Sequence, residues 1–463
     1  MLSVLMRQFN NTAFFGVLVS LGLLSGCSSF IHPVNHAIEK TSDTSGYRFG
    51  QTRGGNFGNS LIILTFSGGG TRAAALSYGV LKELRDTLID VDGKPVRLLD
   101  EVDSISAVSG GSFTAAYFGL FGDQIFTDYK KVFLNQSIQG ILIGKLFDPS
   151  YWWRSLSTGF DRTEMAIEYY DEHIFKGKTF GDFDLTRSPF IEINATDLGA
   201  GNRFSFSQIY FDLICSNLAD FKVARAVTAS SAVPIMFPTV VLKNYAGACD
   251  LSQTSFMEHL MAENSKDPRV AEIQRRISHY LDRENHPYIH LIDGCISDNL
   301  GLRALAERIQ IYGTGFAPLF SGKVPEHILV ISVDAEVRPP HSVDESPEKP
   351  SIGEMVESFS DVQLRLYNNE TRILLDQKLK EAQEHLLQKG TPIDVYSATV
   401  SFSSIRGQSL RDHLNSLPTS LELSPSDVEI LERTGGELLR SDKGYKNYLA
   451  RMHGRRIEKT GQP

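Results

Sequence analysis

The feature that most constrains the fold of this chain is a set of short, continuously apolar runs, each followed by a turn. Ser60–Phe66 (SLIILTF) is one such run, and SGGGTR and a helical pattern over Ala73–Thr87 follow it. Glu326–Glu336 (EHILVISVDAE) is another. Runs without polar alternation are typical of strands that are covered on both faces of a parallel sheet. The sequence therefore predicts an α/β fold of three α/β/α layers with a mostly parallel central sheet.

Other segments repeat this strand–turn–helix order. Ile105–Leu120 (ISAVSGGSFTAAYFGL) indicates a strand and a helix that meet at Ser109. Phe190–Ala195 indicates a further strand, and another ends at Asp293 before a capped helix. Beyond the polar, proline-rich stretch Arg338–Ser351, long helical patterns predict C-terminal helical additions that pack on the main domain.

The first 26 residues have the pattern of an export signal. They carry a single charge, and the apolar run Ala13–Leu24 is too short and too weakly flanked for a stable membrane span. Leu24–Cys27 (LSGC) resembles the lipobox of bacterial lipoproteins, in which Cys27 becomes the lipidated first residue. An ordinary signal peptide with an incidental cysteine is the alternative. Ser28 resembles the outer-membrane sorting pattern, so we expect an exported bacterial lipoprotein anchored in the outer membrane.

The charge balance argues against polyanionic partners. The chain has 46 basic and 55 acidic residues, and one basic residue lies in the first 26, so the remainder has a net charge of −10. Such a chain is a poor candidate for binding nucleic acid or for electrostatic docking on anionic lipid. A lipid anchor on Cys27 needs no basic patch, because several acyl chains suffice for strong membrane binding.

Cysteine usage gives no sign of a metal centre. Cys215, Cys249 and Cys295 follow Cys27, and export permits a Cys215–Cys249 disulfide. The chain lacks a CxxC motif, a Cys/His cluster, an HExxH motif and an EF-hand loop. We therefore expect no metal and no cofactor.

Ser109 stands at a predicted strand-to-helix corner, where open α/β sheets place their active sites. It lies in AVSGG, close to the nucleophile-elbow pattern G-x-S-x-G, with Ala107 in place of the first glycine. At such a turn the hydroxyl projects at a helix N-terminus, whose N–H groups favour developing negative charge. A tight turn with a capping serine is the alternative.

Two further predicted strand ends could complete a site. Gly68, Gly69 and Gly70 can bring backbone N–H groups to a reacting carbonyl oxygen, which is what an oxyanion hole requires, and Arg72 adds positive charge at this turn. The Lys-Ser/Thr ending of a phosphate-binding loop is absent, and a turn needed only for packing is the alternative. Asp293 (HLIDGCISDNLG) could reach the serine across the sheet, or could merely cap a turn.

In this order, GGGTR, AVSGGS, ARAVTASSAVPIMFPTV and DGCISDNLG resemble the patatin-like phospholipase family over roughly Leu61–Ala304. The resemblance implies a dyad of Ser109 and Asp293 without histidine, and an oxyanion hole formed by the glycine loop with Arg72. The chain departs from the family pattern at Ala107, where glycine is usual, and at Cys295, where glycine or alanine is usual. No histidine after Asp293 has a recognisable catalytic context.

The resemblance implies a lipid acyl hydrolase of the phospholipase A or lysophospholipase type, acting on phospholipid or another acyl ester. An acyltransferase that uses the same acyl-enzyme is one alternative. A non-catalytic lipoprotein that binds lipid or a protein partner is another, and the sequence identifies no protein partner.

We divide the chain into a signal peptide (1–26), a tether (27–59), a patatin-like catalytic domain (60–340) and a C-terminal extension (341–463). Phe147–Leu156 (FDPSYWWRSL) contains both tryptophans. We expect it to pack in the core beside a loop, while lining an acyl groove or touching lipid is the alternative.

Overall fold

A computed structural model describes residues 33–457 except 56, 235, 253, 255, 259–267, 313–323, 339–346, 348 and 350. Its strands are Ser60–Phe66 (β1), Thr87–Val91 (β2), Lys94–Arg97 (β3), Ser104–Val108 (β4), Phe190–Asp197 (β5), Asn202–Phe206 (β6), Val240–Lys243 (β7), Tyr288–Ile292 (β8), His327–Asp334 (β9), Asp394–Ser401 (β10) and Arg455–Arg456 (β11). Its α-helices are Gly70–Arg85 (α1), Gly110–Phe121 (α2), Ile125–Tyr129 (α3), Ile138–Lys145 (α4), Pro149–Thr158 (α5), Arg162–His173 (α6), Gln208–Leu213 (α7), Val223–Ser230 (α8), Pro268–Leu281 (α9), Cys295–Asp298 (α10), Arg303–Tyr312 (α11), Ile352–Gln388 (α12), Gln408–Asn415 (α13), Pro425–Ser441 (α14) and Lys443–Arg451 (α15).

The described strands form one large mixed sheet and one small one. The order β10–β9–β1–β4–β5 is parallel throughout, as the apolar runs predict. At one edge β8 pairs antiparallel with β5, and β7 pairs antiparallel with β8. β6 also pairs antiparallel with β5, and β11, β2 and β3 form the small antiparallel sheet.

Alternate residues of the central strands face two separate apolar cores. Ile62 and Leu64 of β1 pack in the larger core together with side chains of α1, α2 and α14. Leu61 and Ile63 pack in the smaller core with side chains of α11 and α12. Both faces of the strand are therefore covered by helices, which explains its continuous apolar run and confirms the three-layer α/β/α architecture.

The segment expected to be a tether packs on the domain over its described part, residues 33–59. Tyr47 is buried, and its hydroxyl group bonds to the backbone of Ile191 on β5. Arg48 forms a buried ion pair with Asp212, and Phe57 joins the smaller core. The aromatic residues of this segment supply apolar surface that fixes it on the domain. Residues 27–32, including Cys27, lie outside the described part of the chain.

The C-terminal region packs on the main domain with its helices and also adds a strand to the central sheet. β10 pairs with β9 along its whole length and extends the central sheet. A Cβ atom on Gly79 of α1 would lie 2.0 Å from the carbonyl oxygen of Glu432 on α14, so these helices touch backbone to backbone. The region after residue 340 therefore packs closely on the domain that precedes it, as the sequence analysis expected.

Cys215 and Cys249 form a disulfide, which the sequence allowed, and Cys295 is a free thiol. No helix in the part of the chain that the structure describes is both long and apolar enough to cross a bilayer.

Candidate active site

Strand pairing explains why Ser109 and Asp293 meet. Val108, the last residue of β4, lies opposite Asn194 of β5, and Ile292, the last residue of β8, lies opposite Thr196 of the same strand. Ser109 and Asp293 directly follow these two strand ends, so they lie on either side of β5 at the same height. The sequence suggested a strand end at Asp293 in a mostly parallel sheet, but β8 is antiparallel. Its carboxyl end still meets the carboxyl end of β5, because only the last residues of the two strands pair.

Ser109 sits in a strained backbone conformation between β4 and α2. Its φ of 48° and ψ of −120° lie in a region that residues with a side chain rarely occupy. A Cβ atom on Gly110 would lie 2.0 Å from the carbonyl oxygen of Gly70, so the serine turn and the glycine turn pack backbone against backbone. These constraints account for the small residues on either side of the serine.

The two predicted catalytic side chains are hydrogen-bonded to each other. Ser109 Oγ donates to Asp293 Oδ2 at 3.1 Å, and both residues are buried. The Cys295 N–H donates to Asp293 Oδ1 at 2.9 Å, which fixes the orientation of the carboxyl group. Burial raises the pKa of Asp293 above its ordinary value, although the Cys295 and Ser109 hydrogen bonds oppose the shift. The carboxylate is thereby made a stronger base than an exposed aspartate.

Two serines that the sequence analysis did not single out hold the strained turn. The Ser109 N–H donates to Ser230 Oγ at 2.8 Å, and that hydroxyl group donates to the Asn194 carbonyl at 2.6 Å. Ser112 Oγ donates to the Ser109 carbonyl at 2.5 Å. Ser230 lies in the Ala/Ser-rich segment TASSAVP, and its small polar residues were the available signal. The hydroxyl groups therefore orient the nucleophile from both sides of its peptide backbone.

The glycine loop offers two amides to a ligand. The Gly68 N–H already donates to the Asn299 carbonyl at 3.0 Å, and the Thr71 N–H donates to Ser420. Between them, the amides of Gly69 and Gly70 have no hydrogen-bond partner among the described residues. Their φ angles of 132° and 59° require glycine. These two amides are the candidate oxyanion donors.

Gly68 contributes space rather than a free donor. A Cβ atom there would lie 2.1 Å from Cys295 Sγ and 3.4 Å from the Cβ of Ser109. Cys295 therefore fills space beside the dyad. The glycine or alanine that is usual at this position in patatin-like phospholipases would leave that space open. Burial raises the pKa of the Cys295 thiol well above its ordinary value, which keeps the thiol protonated.

Arg72 ties the glycine loop to the C-terminal region. Its buried guanidinium donates to the carbonyls of Ala335 (3.0 Å) and Leu417 (2.6 Å) and to the hydroxyl of Thr419 (3.0 Å). A Cβ atom on Gly69 would lie 3.1 Å from this guanidinium. Arg72 therefore holds the loop in place through backbone oxygens, and these contacts make it a positioning residue.

An apolar cavity of about 160 Å³ opens beside Ser109. Apolar side chains from α4, α6 and the loop after α8 form most of its wall, and a C-terminal loop closes one side. Its lining comprises Gly70, Ser109, Gln139, Leu142, Ile143, Leu146, Arg162, Met165, Ser231, Val233, Met236, Phe237, Thr419, Ser420 and Leu421. A cavity of this character suits a hydrocarbon chain next to the reacting serine. No signal in the sequence marked the C-terminal loop as part of the site.

The described histidines contact neither member of the dyad. His290 bonds to Thr239, His327 pairs with Asp394, and His413 pairs with Asp427. His341 lies outside the described residues. Over the described ranges, no three His, Cys, Asp or Glu side chains are placed to hold a metal ion.

Comparison with known proteins identifies the family. The patatin-like phospholipase family model matches residues 64–306, just over half of the 463 residues. No curated protein matches the chain in sequence.

Two solved structures show only a distant likeness. A structure of human GIVD cytosolic phospholipase A2 is 10% identical, covers 85% of this chain and 62% of its own, and has a TM-score of 0.44. The complex of that enzyme with methyl gamma-linolenyl fluorophosphonate is also 10% identical, covers 85% and 59%, and has a TM-score of 0.34. The chain thus spans about three fifths of the length of these structures, and neither TM-score is high enough to carry an argument.

The family match begins within β1 and ends within α11, so it contains the glycine loop, Ser109 and Asp293. The chain belongs to the patatin-like phospholipase family.

Proposed function

We propose that this protein cleaves acyl esters of phospholipids or lysophospholipids with a catalytic dyad of Ser109 and Asp293. Its family is one of lipid ester hydrolases. The observation that carries the proposal is the 3.1 Å hydrogen bond from Ser109 Oγ to Asp293 Oδ2 beside an apolar cavity. A nucleophile, a base and a binding site for a hydrocarbon chain are the minimum that acyl transfer requires.

In the acylation step, Ser109 Oγ attacks the ester carbonyl carbon while its proton passes to Asp293 Oδ2. The carbonyl π electrons move to oxygen, and the amides of Gly69 and Gly70 stabilise the resulting oxyanion. When the tetrahedral intermediate collapses, the bond to the leaving alkoxide breaks and Asp293 returns the proton to that oxygen. The products are a free alcohol, such as a lysophospholipid, and an acyl-enzyme.

Deacylation repeats the sequence with water. Asp293 takes a proton from a water molecule as its oxygen attacks the acyl carbonyl, and the proton then goes to Ser109 Oγ as the fatty acid leaves. Because one carboxylate serves both halves of the reaction, no histidine is required. Burial raises the pKa of Asp293 towards the operating pH, and a group whose pKa lies near that pH can both accept and donate a proton.

A fluorophosphonate probe distinguishes an active hydrolase from an inactive scaffold. The probe phosphorylates serines that are already activated as nucleophiles, so we expect one labelled peptide, containing Ser109. Mass spectrometry of the digested protein identifies the labelled residue. Lack of labelling in folded, full-length protein would favour the non-catalytic lipoprotein. Labelling of another serine would refute the dyad as proposed.

We also propose that the protein is an exported bacterial lipoprotein, anchored in the outer membrane through lipid on Cys27. The lipobox-like LSGC and the following serine support this location. Only six residue steps separate Cys27 from Pro33, where the described and packed part of the chain begins. They reach no further than about 20 Å. An anchor on Cys27 would thus hold the catalytic domain close to the bilayer.

Replacement of the anchoring cysteine tests this location. We expect Cys27→Ser to abolish incorporation of labelled fatty acid and to move the protein from the detergent phase to the aqueous phase on phase separation. The physical reason is that the acyl chains supply the membrane affinity. Unchanged partition of the variant, or no acyl label on the parent protein, would contradict the lipoprotein assignment.

A further inference from the structure

Large apolar side chains lie exposed on and just before α5, contrary to the core packing that the sequence favoured. Phe147 is 82% exposed, Trp153 75%, Leu156 79% and Trp152 48%. We call these four residues the aromatic patch. Both tryptophans of the chain belong to it. Contiguous exposure of this kind on a soluble domain marks a binding surface.

The local structure keeps this face outward. Tyr151 points to the larger core and is 8% exposed, so the helix is anchored by one side. Leu156 follows Trp152 by four residues and Trp153 by three, so these side chains share the side of the helix opposite Tyr151. The Trp152 indole N–H donates to the Leu146 carbonyl at 2.9 Å, which fixes the helix against the turn that carries Phe147.

The aromatic patch is continuous with the cavity beside Ser109. Leu146 and Ile143 line the cavity, and Leu146 directly precedes Phe147. Ile143 is itself 48% exposed, and Met236 on the opposite wall is 46% exposed. The apolar lining of the cavity beside Ser109 therefore reaches the residue that directly precedes the aromatic patch.

The cavity is too small to hold a whole fatty acyl chain. Its volume of about 160 Å³ is close to that of a cavity known to take up benzene. The remaining carbons of a longer chain must leave the cavity across its apolar rim. A chain that is still embedded in a lipid monolayer meets this requirement without any exposure to water.

Charges around the aromatic patch favour a neutral lipid surface over an anionic one. Arg154, on the same helix, is paired with Glu168, so it presents no uncompensated charge. Asp148 caps the start of the helix and offsets the neighbouring Lys145. Tryptophan itself favours the interfacial region of a bilayer, where its ring is buried and its N–H meets polar groups.

We propose that the aromatic patch is a membrane-docking surface that inserts into the interfacial region of a phospholipid bilayer and opens the Ser109 cavity toward it. The inference rests on the proposed lipid hydrolase function. It adds that the enzyme takes its substrate directly from a bilayer. The short connection from Cys27 to Pro33 is compatible with such docking, because it would hold the domain within reach of the membrane.

Tryptophan fluorescence tests the docking directly, because the only two tryptophans of the chain lie in the aromatic patch. Full-length Ser109→Ala protein is combined with phosphatidylcholine vesicles, with or without bromine on the acyl chains. We expect brominated chains to reduce the tryptophan emission by about a third or more, because bromine quenches only indoles at membrane depth. Quenching reports insertion of the indoles and not turnover, so this measurement does not depend on the catalytic proposal.

A paired hydrolysis assay then measures what docking contributes. We expect the Trp153→Ser/Leu156→Ser double variant to lose about tenfold or more of its activity on phosphatidylcholine vesicles, and to keep its activity on a soluble nitrophenyl ester. Leu387→Ser on α12 is the matched control, because Leu387 is 62% exposed but lies on a helix that does not line the cavity. We expect it to leave both activities unchanged.

The outcomes separate the two proposals. Tryptophan emission that is unaffected by brominated chains overturns the docking surface and leaves the aromatic patch to a protein partner or a second copy of the chain. Equal losses on vesicles and on the soluble ester also overturn it, since they indicate damage to the fold. Failure of the catalytic proposal has a different sign, namely that Ser109→Ala protein keeps its activity on the soluble ester.

Discussion

Replacing Ser109 with alanine is expected to remove ester hydrolysis while leaving the fold intact. The substitution deletes the hydroxyl that is hydrogen-bonded to the Asp293 carboxylate, and the oxyanion donors and the cavity remain. Loss of the nucleophile in serine hydrolases costs about four to six orders of magnitude in turnover. Loss of the Ser109–Asp293 hydrogen bond should lower the free energy of unfolding by only about 1–3 kcal/mol. Asp293 also keeps its hydrogen bond from the Cys295 N–H. Turnover of a short-chain nitrophenyl ester by the purified variant measures the effect.

Ser77 supplies the matched control for this substitution. It is fully buried on α1, yet its hydroxyl has no hydrogen-bond partner among the described residues. We expect Ser77→Ala to keep wild-type turnover and at least wild-type thermal stability, because the deleted group is a buried polar atom without a partner. Hydrolysis at the wild-type rate by folded Ser109→Ala would refute the nucleophile assignment.

The residues alone left the Ser109–Asp293 pairing open, and the resemblance to the family implied it. A buried strand followed by a small-residue turn fixes where each side chain emerges, and parallel packing brings such ends to one edge. The antiparallel direction of β8 could not be predicted from Tyr288–Ile292, since its five residues carry no signal of direction. The dyad survives that error because only the end of β8 needs to meet β5.

Contacts between distant parts of the chain account for what the sequence did not reveal. The Ser420 carbonyl accepts a hydrogen bond from Thr71, and the Arg72 guanidinium reaches Leu417 and Thr419. Each contact joins segments about 350 residues apart, and two of the three acceptors are backbone carbonyls, which accept hydrogen bonds regardless of the local sequence. The C-terminal region was therefore expected to be an addition, although it closes one side of the cavity.

The aromatic patch shows the opposite kind of failure. Its composition was visible in the sequence, but composition alone did not determine whether Trp152 and Trp153 face the core or solvent. The deciding fact is that Tyr151 and the Trp152–Leu146 hydrogen bond fix the rotation of a short helix. Tertiary anchoring of this kind overrides the general tendency of large apolar side chains to be buried.

Replacing Asp293 with asparagine is the second large effect that we expect, and it tests the absence of a catalytic histidine. The amide keeps the shape of the carboxyl group and can still accept the Cys295 N–H, but it cannot take the Ser109 proton. Loss of a general base typically costs about a hundredfold to ten-thousandfold, and a dyad without a second base should reach or exceed the upper limit. Turnover on one soluble ester, with thermal melting as the folding check, measures the loss.

Two controls make this comparison specific. Asp298 is also buried, but it caps α11 by accepting the Arg303 N–H and has no described contact with Ser109. We expect Asp298→Asn to retain most of the activity. The Asp293→Asn substitution creates an Asn-Gly pair that deamidates on storage, so Asp293→Ala is measured beside it. Gln substitutions of the histidines after Asp293 should cost far less; a folded histidine variant as inactive as Asp293→Asn would instead indicate a triad.

The pH dependence of the wild-type enzyme and the stability of the Asp293→Asn variant follow from the same carboxyl group. Burial raises the pKa of Asp293 above the ordinary 3.8, so activity should fall as the pH drops through a midpoint above that value. Because its folded-state pKa lies above the unfolded-state one, ionised Asp293 opposes folding at neutral pH, and this cost vanishes below the unfolded pKa. Asp293→Asn removes the buried charge, so we expect the inactive variant to melt no lower than the wild type at neutral pH. A variant that is inactive and also much less stable would mean that Asp293 serves the fold rather than the reaction.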